Sequence, residues 1–219
     1  MPISSKWIFK KKLRSDGTID KYKARLIVRG FDQKEGIDYF ETYSPVTKIA
    51  TIRNLIALAA IFDLVVHQMD VKTAFLNGDI EKEIYMAQSE GCVMPSQENK
   101  VCRLRKFLYG LKQVPKQWYE KFDSSLVQHG FVANLCDSCV HSKVIESECM
   151  IICLYVDDML ILGINFLVVN ETKKLLSSLF EMKDLREADV ILGIKIKKTN
   201  SGFSLCQSHY IEKVLKKFN

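Results

Sequence analysis

The sequence predicts an α+β fold. Segments with a side-chain period of two and segments with a helical period follow one another without a regular strand–helix–strand alternation. The strand-type runs are short and are bounded by Gly, Pro, Asn, Asp or Ser. Nothing reaches the ~18 uninterrupted apolar residues of a membrane span. The longest apolar stretch, 49–66, is broken by Arg53, Asn54 and Asp63.

Residues 7–13 read as a strand, Ser15-Asp16-Gly17 as a turn and 21–28 as a second strand, together a hairpin. Alternation puts Lys23 and Arg25 on one face of that second strand and Ala24 and Leu26 on the other. Ser44-Pro45 is a loop. Residues 51–62 form a helix whose Ile52, Leu55, Ile56 and Ala59 recur at helical spacing. A short apolar strand, 64–69, ends on Asp70. Asn77-Gly78 is a turn signal, after which 81–86 resumes as a strand. The polar stretch 88–99 is a surface loop. A basic and aromatic stretch follows, with Arg103, Arg105, Lys106, Tyr109, Lys112 and Lys116. Pro115 suits the first turn of a helix running to about His129, and Gly130 closes it. The run 150–156 is strand-like, is interrupted by Asp157-Asp158 and resumes at 159–162. That is a hairpin with two carboxylates at its tip. Residues 171–180 are helical, 190–197 and 203–206 a last strand pair with Gly202 in the turn, and 210–218 a short helix.

Charge is uneven along the chain. The net is +6, yet residues 1–34 hold ten Lys and Arg against three Asp and Glu, so the rest sums to −1. A basic front on a near-neutral body suits a polyanion-binding arm, and equally a solvated hairpin face. The seven cysteines are odd in number and scattered, which favours reduced thiols over a disulfide framework. Cys136-Asp-Ser-Cys139 followed by His141 has a ligand-like spacing. Zinc wants four ligands, however, and no second Cys/His pair stands at a suitable distance, so ordinary thiols are the better reading. The amino terminus has no apolar signal core. The expectation is a soluble, intracellular protein that does not enter membranes.

Two carboxylates between apolar strands repel each other and lose hydration, so such a site usually needs a cation. Asp70 is a third, at the end of another apolar strand. Adjacent strand ends would bring Asp70 and Asp157 together. That arrangement suits two divalent ions ~3.5–4 Å apart, bridged by carboxylates, at a nucleotidyl-transfer centre. Hard oxygen ligands favour Mg²⁺, with Mn²⁺ an alternative. On these residues alone, a cation site and a solvated turn are both open.

Several ordered motifs carry a resemblance. Tyr155-Val156-Asp157-Asp158 resembles the Tyr-X-Asp-Asp box of reverse transcriptases. Asp70-Val-Lys-Thr-Ala-Phe-Leu-Asn-Gly78 resembles the first catalytic motif in its copia-type form. Leu108-Tyr-Gly-Leu-Lys-Gln-Val-Pro-Lys-Gln-Trp-Tyr119 resembles that family's nucleotide- and template-contacting motif. Lys6-Trp-Ile-Phe-Lys10 and Lys21-Tyr-Lys-Ala-Arg-Leu-Ile-Val-Arg-Gly-Phe31 are similar to its fingers strands. Phe180-Glu-Met-Lys-Asp-Leu185 and Leu192-Gly-Ile-Lys-Ile196 are similar to its later motifs. The motifs run in family order from about Lys6 to Phe218. The sequence is identified as similar to the reverse transcriptase domain of copia-type LTR retrotransposon Pol polyproteins.

The resemblance implies a right-hand polymerase, with an antiparallel palm sheet and packed helices. Fingers fall near 1–50 and 80–115, palm near 50–80 and 116–200, and the start of a thumb or connection at 201–219, the thumb itself being absent or incomplete. It implies RNA-directed DNA polymerase activity that adds dNTPs to a primer 3′-end on an RNA or DNA template. Asp70 and Asp157 become the principal metal ligands, with Asp158 supporting and the Val71 carbonyl available to a metal. Phe75 falls where the family places an aromatic steric gate. Lys23 and Arg25 fall where the fingers reach the triphosphate, without deciding between them. Tyr109 and Gly110 line the nucleotide pocket, and Lys183 is a candidate proton donor to pyrophosphate. Each also has a plain structural reading: Phe75 as core, Lys23, Arg25 and Lys183 as solvated cations, and the aromatics of 107–122 as helix packing. His67 reads as a packed core histidine. Departures from the family pattern are Cys136-Asp-Ser-Cys139 for an Asp-Pro-Ser type segment, Arg186-Glu-Ala-Asp189 for a Gly-Pro type turn, and Val114 where Ala is usual. The expectation from the chain's extent is a truncated remnant, in cytoplasmic virus-like particles or the nucleus. The rival reading is a catalytically silent nucleic-acid-binding remnant.

Overall fold

The structure is a computed structural model that describes residues 2–13, 18–78, 80, 82–145, 148–199 and 202–218. The expected turn at Ser15-Asp16-Gly17 lies outside the described residues, as does Glu81 at the start of an expected strand. In chain order come β1 (Ser5–Leu13), β2 (Ile19–Val28), α1 (Ile49–Ile61), β3 (Val65–Val71), β4 (Tyr85–Ala87), β5 (Val101–Arg103) and α2 (Val114–Gln128). Then follow β6 (Val132–Ala133), β7 (Val140–Ile145), β8 (Glu148–Tyr155), β9 (Asp158–Gly163) and α3 (Phe166–Leu179). The chain continues through β10 (Met182–Glu187), β11 (Val190–Ile191), β12 (Ile194–Thr199), β13 (Gly202–Cys206) and α4 (Ser208–Phe218). Named strands pair antiparallel throughout, with helices between and beside them, an α+β arrangement. Two compact units divide the chain: Met1–Ser44 with Ala74–Lys121, and Pro45–Thr73 with Phe122–Asn219.

The second unit is built on a six-stranded sheet in the order β10-β3-β9-β8-β7-β6. α1 packs on one face. Its Ile52, Leu55, Ile56 and Ala59 are buried with Val66, Cys153, Leu160 and Leu162, the stripe that the helical spacing of the sequence predicts. α3 covers the other face with Val169, Thr172, Lys173 and Leu176. Because β3, β8 and β9 are covered on both sides, they read in the sequence as continuous apolar runs instead of alternating ones. α2 ends as expected. Gly130 is left-handed at φ +82, and the Phe131 N–H reaches back to the Leu126 carbonyl, a Schellman closure. A small sheet, β11-β12-β13, completes the unit.

In the first unit β1 and β2 form the expected hairpin, somewhat longer than its sequence signal. The base of β2 is tied down by backbone: the Val28 N–H donates to the Tyr109 carbonyl at 2.8 Å. Gly110 makes that approach possible. It sits at φ +99, and a Cβ there would lie 2.0 Å from the Val28 carbonyl oxygen. Ile3, Val28, Ile84, Met86, Phe107, Leu111 and Val114 form the core of this unit. The strand expected at 81–86 is shorter and later, as β4, and pairs with β5, to which the sequence reading assigns no strand.

Candidate active site

The acids meet on the sheet of the second unit. β3 and β9 pair so that Asp70 stands directly opposite Asp158. On the far side of β3, Lys183 of β10 stands opposite Asp70. On the far side of β9, Tyr155 of β8 stands opposite Asp158. Opposed residues of antiparallel strands share a face. One row therefore crosses four strands as Lys183, Asp70, Asp158 and Tyr155. The sequence reading pairs Asp70 with Asp157. In the structure Asp157 is one step further, inside the two-residue turn formed by Val156 and Asp157, and its carbonyl accepts the Val71 N–H at 2.8 Å. Asp157 thus lies in the turn, and Asp158 begins β9.

That turn is strained. Val156 has φ +59, where two-residue hairpin turns favour Gly. A β-branched residue there costs of order 1–3 kcal/mol and persists only where its surroundings hold it. The well-packed strands β8 and β9, with Met150, Ile152, Met159, Leu160, Ile161 and Leu162 fully buried, are that support.

Gln68, which the sequence reading passed over, belongs to this site. Two residues before Asp70 on the same strand, it shares Asp70's face, and its Nε2 donates to Asp158 Oδ1 at 3.1 Å. A polar side chain at i−2 on the face that Asp70 shares with Val66 was the available signal. The Asp158 carboxyl is pushed above the usual carboxylate range. Burial is the main cause, the charges of Asp157 and then Asp70 add to it, and the Gln68 bond pulls the other way.

Among the described residues no three His, Cys, Asp or Glu side chains form a ready-made cage for an ion. The donor set nevertheless suits one. Burial, and after it the charges of Asp157 and Asp70, make the half-buried Asp158 carboxylate harder to ionise. A hard divalent cation relieves that repulsion and accepts oxygen ligands from outside the protein to fill its shell.

The other expected contacts lie in the first unit. Arg25 Cζ stands 5.3 Å over the Tyr109 ring, and the Tyr109 and Phe75 rings are 5.0 Å apart. Arg25, Tyr109 and Phe75 thus form one cation–aromatic stack, and Phe75 is also partly buried against the core of the unit. Lys23 is on the same hairpin face two residues earlier and is less exposed than Arg25. The hairpin is two-faced. Its register puts Lys6, Ile8, Lys10 and Lys12 with Lys21, Lys23, Arg25 and Ile27 on one side, and Trp7, Phe9 and Lys11 with Tyr22, Ala24 and Leu26 on the other. Trp7 and Phe9 stack at 6.2 Å, while Phe9 is 76% and Tyr22 72% exposed.

Comparison with known proteins decides the family. A family model described as reverse transcriptase (RNA-dependent DNA polymerase) matches residues 1–219. The chain belongs to the copia-type reverse transcriptase family. It is similar to the retrovirus-related Pol polyprotein from transposon TNT 1-94 of Nicotiana tabacum, 49% identical over 100% of this chain and 17% of that protein. It is also similar to the polyproteins from transposons RE1 and RE2 of Arabidopsis thaliana, at 38% and 37% identity over 99% of this chain and 15% of each relative. The chain therefore spans about a sixth of the length of these curated relatives.

Within this reverse transcriptase domain the residues of the cysteine motif sit in unlike surroundings. Cys136 is exposed while Cys139 is buried, and His141 is wholly buried with Nε2 2.8 Å from Asp123 Oδ1. Burial pushes the Cys139 thiol up to about 12 and that of Cys153 up to about 11, away from the thiolate a metal requires. Of the two residues between the cysteines, Asp137 accepts from the hydroxyls of Thr47 and Thr51 and from the Lys48 N–H at the start of α1. His67 is buried as expected, at 2% exposure. Among the described residues no helix is long and apolar enough to cross a membrane.

Proposed function

We propose that this domain is an RNA-directed DNA polymerase core that extends a primer 3′-end with dNTPs on an RNA or DNA template. The observation that carries the reading is the acid row at adjacent strand ends, Asp70 opposite Asp158 with Asp157 in the strained turn beside them. The six-stranded unit serves as palm and the hairpin-bearing unit as fingers.

Asp70 and Asp157 would hold Mg²⁺, or Mn²⁺, with Asp158 adjacent and the Val71 carbonyl as a further ligand. When bound, such ions activate the primer 3′-hydroxyl and neutralise charge on the leaving pyrophosphate. The remaining work falls to the protein. Gln68 orients Asp158. Arg25, held over Tyr109, meets the triphosphate, with Lys23 alongside. Phe75 occupies the space beneath the sugar and excludes a 2′-hydroxyl. Tyr109 and Gly110 shape the nucleotide pocket. Lys183 delivers a proton to the pyrophosphate oxygen as it leaves. The basic hairpin face tracks phosphates and the exposed Trp7, Phe9 and Tyr22 face stacks on unpaired template bases.

The test is primer extension on poly(rA)·oligo(dT) with Mg²⁺. Wild-type extension that Asp157→Asn abolishes, with the circular dichroism spectrum and melting curve retained, supports the reading. Template–primer binding with no extension under any divalent ion overturns it in favour of a binding module.

A further inference from the structure

α3 carries an anomaly. Its buried stripe is Val169, Thr172, Lys173 and Leu176, so a lysine fills a core position of an amphipathic helix. Lys173 is only 8% exposed. A buried ammonium is tolerated only when paired and hydrogen-bonded. Here Nζ lies 2.7 Å from Asp184 Oδ2 on β10 and 2.8 Å from His67 Nδ1 on β3. An ammonium has donors alone, so His67 must accept at Nδ1 and carry its own proton on Nε2. One cation thus ties a helix to two neighbouring strands at the point where they pair.

The strand it ties, β10, lies at one edge of the sheet. Its pairing with β3 slips between Asp184 and Arg186, where Arg186 takes φ +68. Asp184 pairs with Met69, on the α3 face of the sheet, and Lys183 pairs with Asp70, on the acid face. Side chains alternate along a strand, so a slip by one residue exchanges the two. Holding Asp184 against α3 is the same act as holding Lys183 opposite Asp70.

We infer that Lys173 is a positioning residue, which, with Asp184 and His67, locks the register of β10 and thereby keeps Lys183 in the acid row. The inference rests on the polymerase reading for its catalytic consequence, and on the structure alone for the register lock. The groups facing His67 are Lys173 from α3 and Asp184, Arg186 and Glu187 from β10; burial and then the Lys173 charge pull its pKa below the ordinary imidazole value, against the charges of Asp184 and Glu187.

Two measurements on the full 219-residue chain decide it. The first is amide hydrogen exchange in Lys173→Met, an apolar side chain of similar length that suits the stripe. Exchange about tenfold or more faster in β10, with β8 and β9 unchanged, is the expected result; unchanged exchange in β10, or a uniform rise across the sheet, overturns the lock. The second is single-nucleotide addition by Lys173→Met, Lys183→Met and the double variant. Lys173→Met should lower kcat about tenfold with little change in KM for dNTP, and should add nothing once Lys183 is gone. Independent, multiplying losses overturn a route through Lys183. A wild-type chain that adds no nucleotide defeats the polymerase reading, and the exchange result still decides the lock.

Discussion

Asp137→Ala should destabilise the acid-bearing unit by removing the side chain that caps α1. α1 has no side-chain cap of its own, because its N-cap position is Lys48. Asp137 supplies the cap from the segment before β7. Its Oδ2 accepts from Thr51 Oγ1 at 2.6 Å, Thr47 Oγ1 at 2.8 Å and Lys48 N at 3.4 Å, and its Oδ1 from Cys139 N at 3.1 Å. Losing a cap costs about 0.5–2 kcal/mol. Leaving the hydroxyl of Thr47, only 3% exposed, without its acceptor adds about 1–3 kcal/mol. The sum is near 3 kcal/mol, and at about 2–4 °C per kcal/mol for a chain of this size the Ala variant should melt roughly 6–12 °C lower. Asp137→Asn keeps an acceptor and should lose only about 1 kcal/mol. Burial pushes the Asp137 carboxyl up, but the bonds from Thr51, Thr47 and the backbone outweigh it, so it titrates below the usual carboxylate range. A depressed folded value means the charge stabilises fully above an ordinary carboxylate pKa of about 4 and that this contribution is lost as pH falls through the folded value. The gap between wild type and Asp137→Asn in calorimetry should therefore be constant from pH 5 to 7 and close in acid. An Ala variant melting within about 2 °C of wild type, or a gap independent of pH into strong acid, refutes the reasoning.

Other outcomes follow from the same geometry. Gly110→Ala meets the Val28 carbonyl oxygen at 2.0 Å in a left-handed backbone, and should destabilise by about 2 kcal/mol or more in urea titration; tolerance would show that the hairpin base can move. Val156→Gly should stabilise by about 1 kcal/mol, the strain released less the added chain entropy, and a loss of stability would show that the left-handed turn is not strained. Phe75→Val should raise ribonucleotide use relative to dNTP about tenfold or more, and unchanged discrimination would reduce Phe75 to core packing. Lys10→Gln with Lys21→Gln, neighbours on the basic hairpin face, should flatten the salt dependence of template–primer affinity by about one to two units of slope; an unaltered slope removes that face from the interface.

The sequence disclosed elements where periodicity and local chemistry agree. The stripe of α1, the Gly130 closure and the long hairpins are all local, and each appears in the structure close to its expected limits. What was hidden depends on partners far along the chain. β5 and β6 are three and two residues long and exist only through pairing, so no period could announce them; the strand expected at 190–197 is instead two, β11 and β12, paired across a turn at Leu192-Gly193. β10 has a clear partner, but its bulge breaks the alternation that would mark Met182–Glu187 as a strand. The expected strand at 81–86 shrinks because its register is set by β5 instead of by its own pattern.

The candidate site divides along the same line. Asp70 and Asp157 were legible because charge at the end of an apolar run is conspicuous. Their register was not: turn length determines whether Asp157 or Asp158 faces Asp70, and a left-handed Val156 is a poor guess from sequence. Gln68, Lys173 and Asp137 share a signature that can be read in other chains. Each is a polar residue that breaks an otherwise consistent pattern: mid-strand, in a helix core stripe, and between two cysteines. Each break resolves into a hydrogen bond or ion pair across a large sequence separation, Gln68 to Asp158, Lys173 to His67 and Asp137 to Thr47. All three act on the elements that carry the acids, by orienting Asp158, by holding the strand beside Asp70 and by capping the helix that leads into β3. Two like charges directly opposite each other on adjacent strands, Asp70 and Asp158, oppose folding. The polar residues that violate the local pattern are those that hold the elements supporting that pair in place.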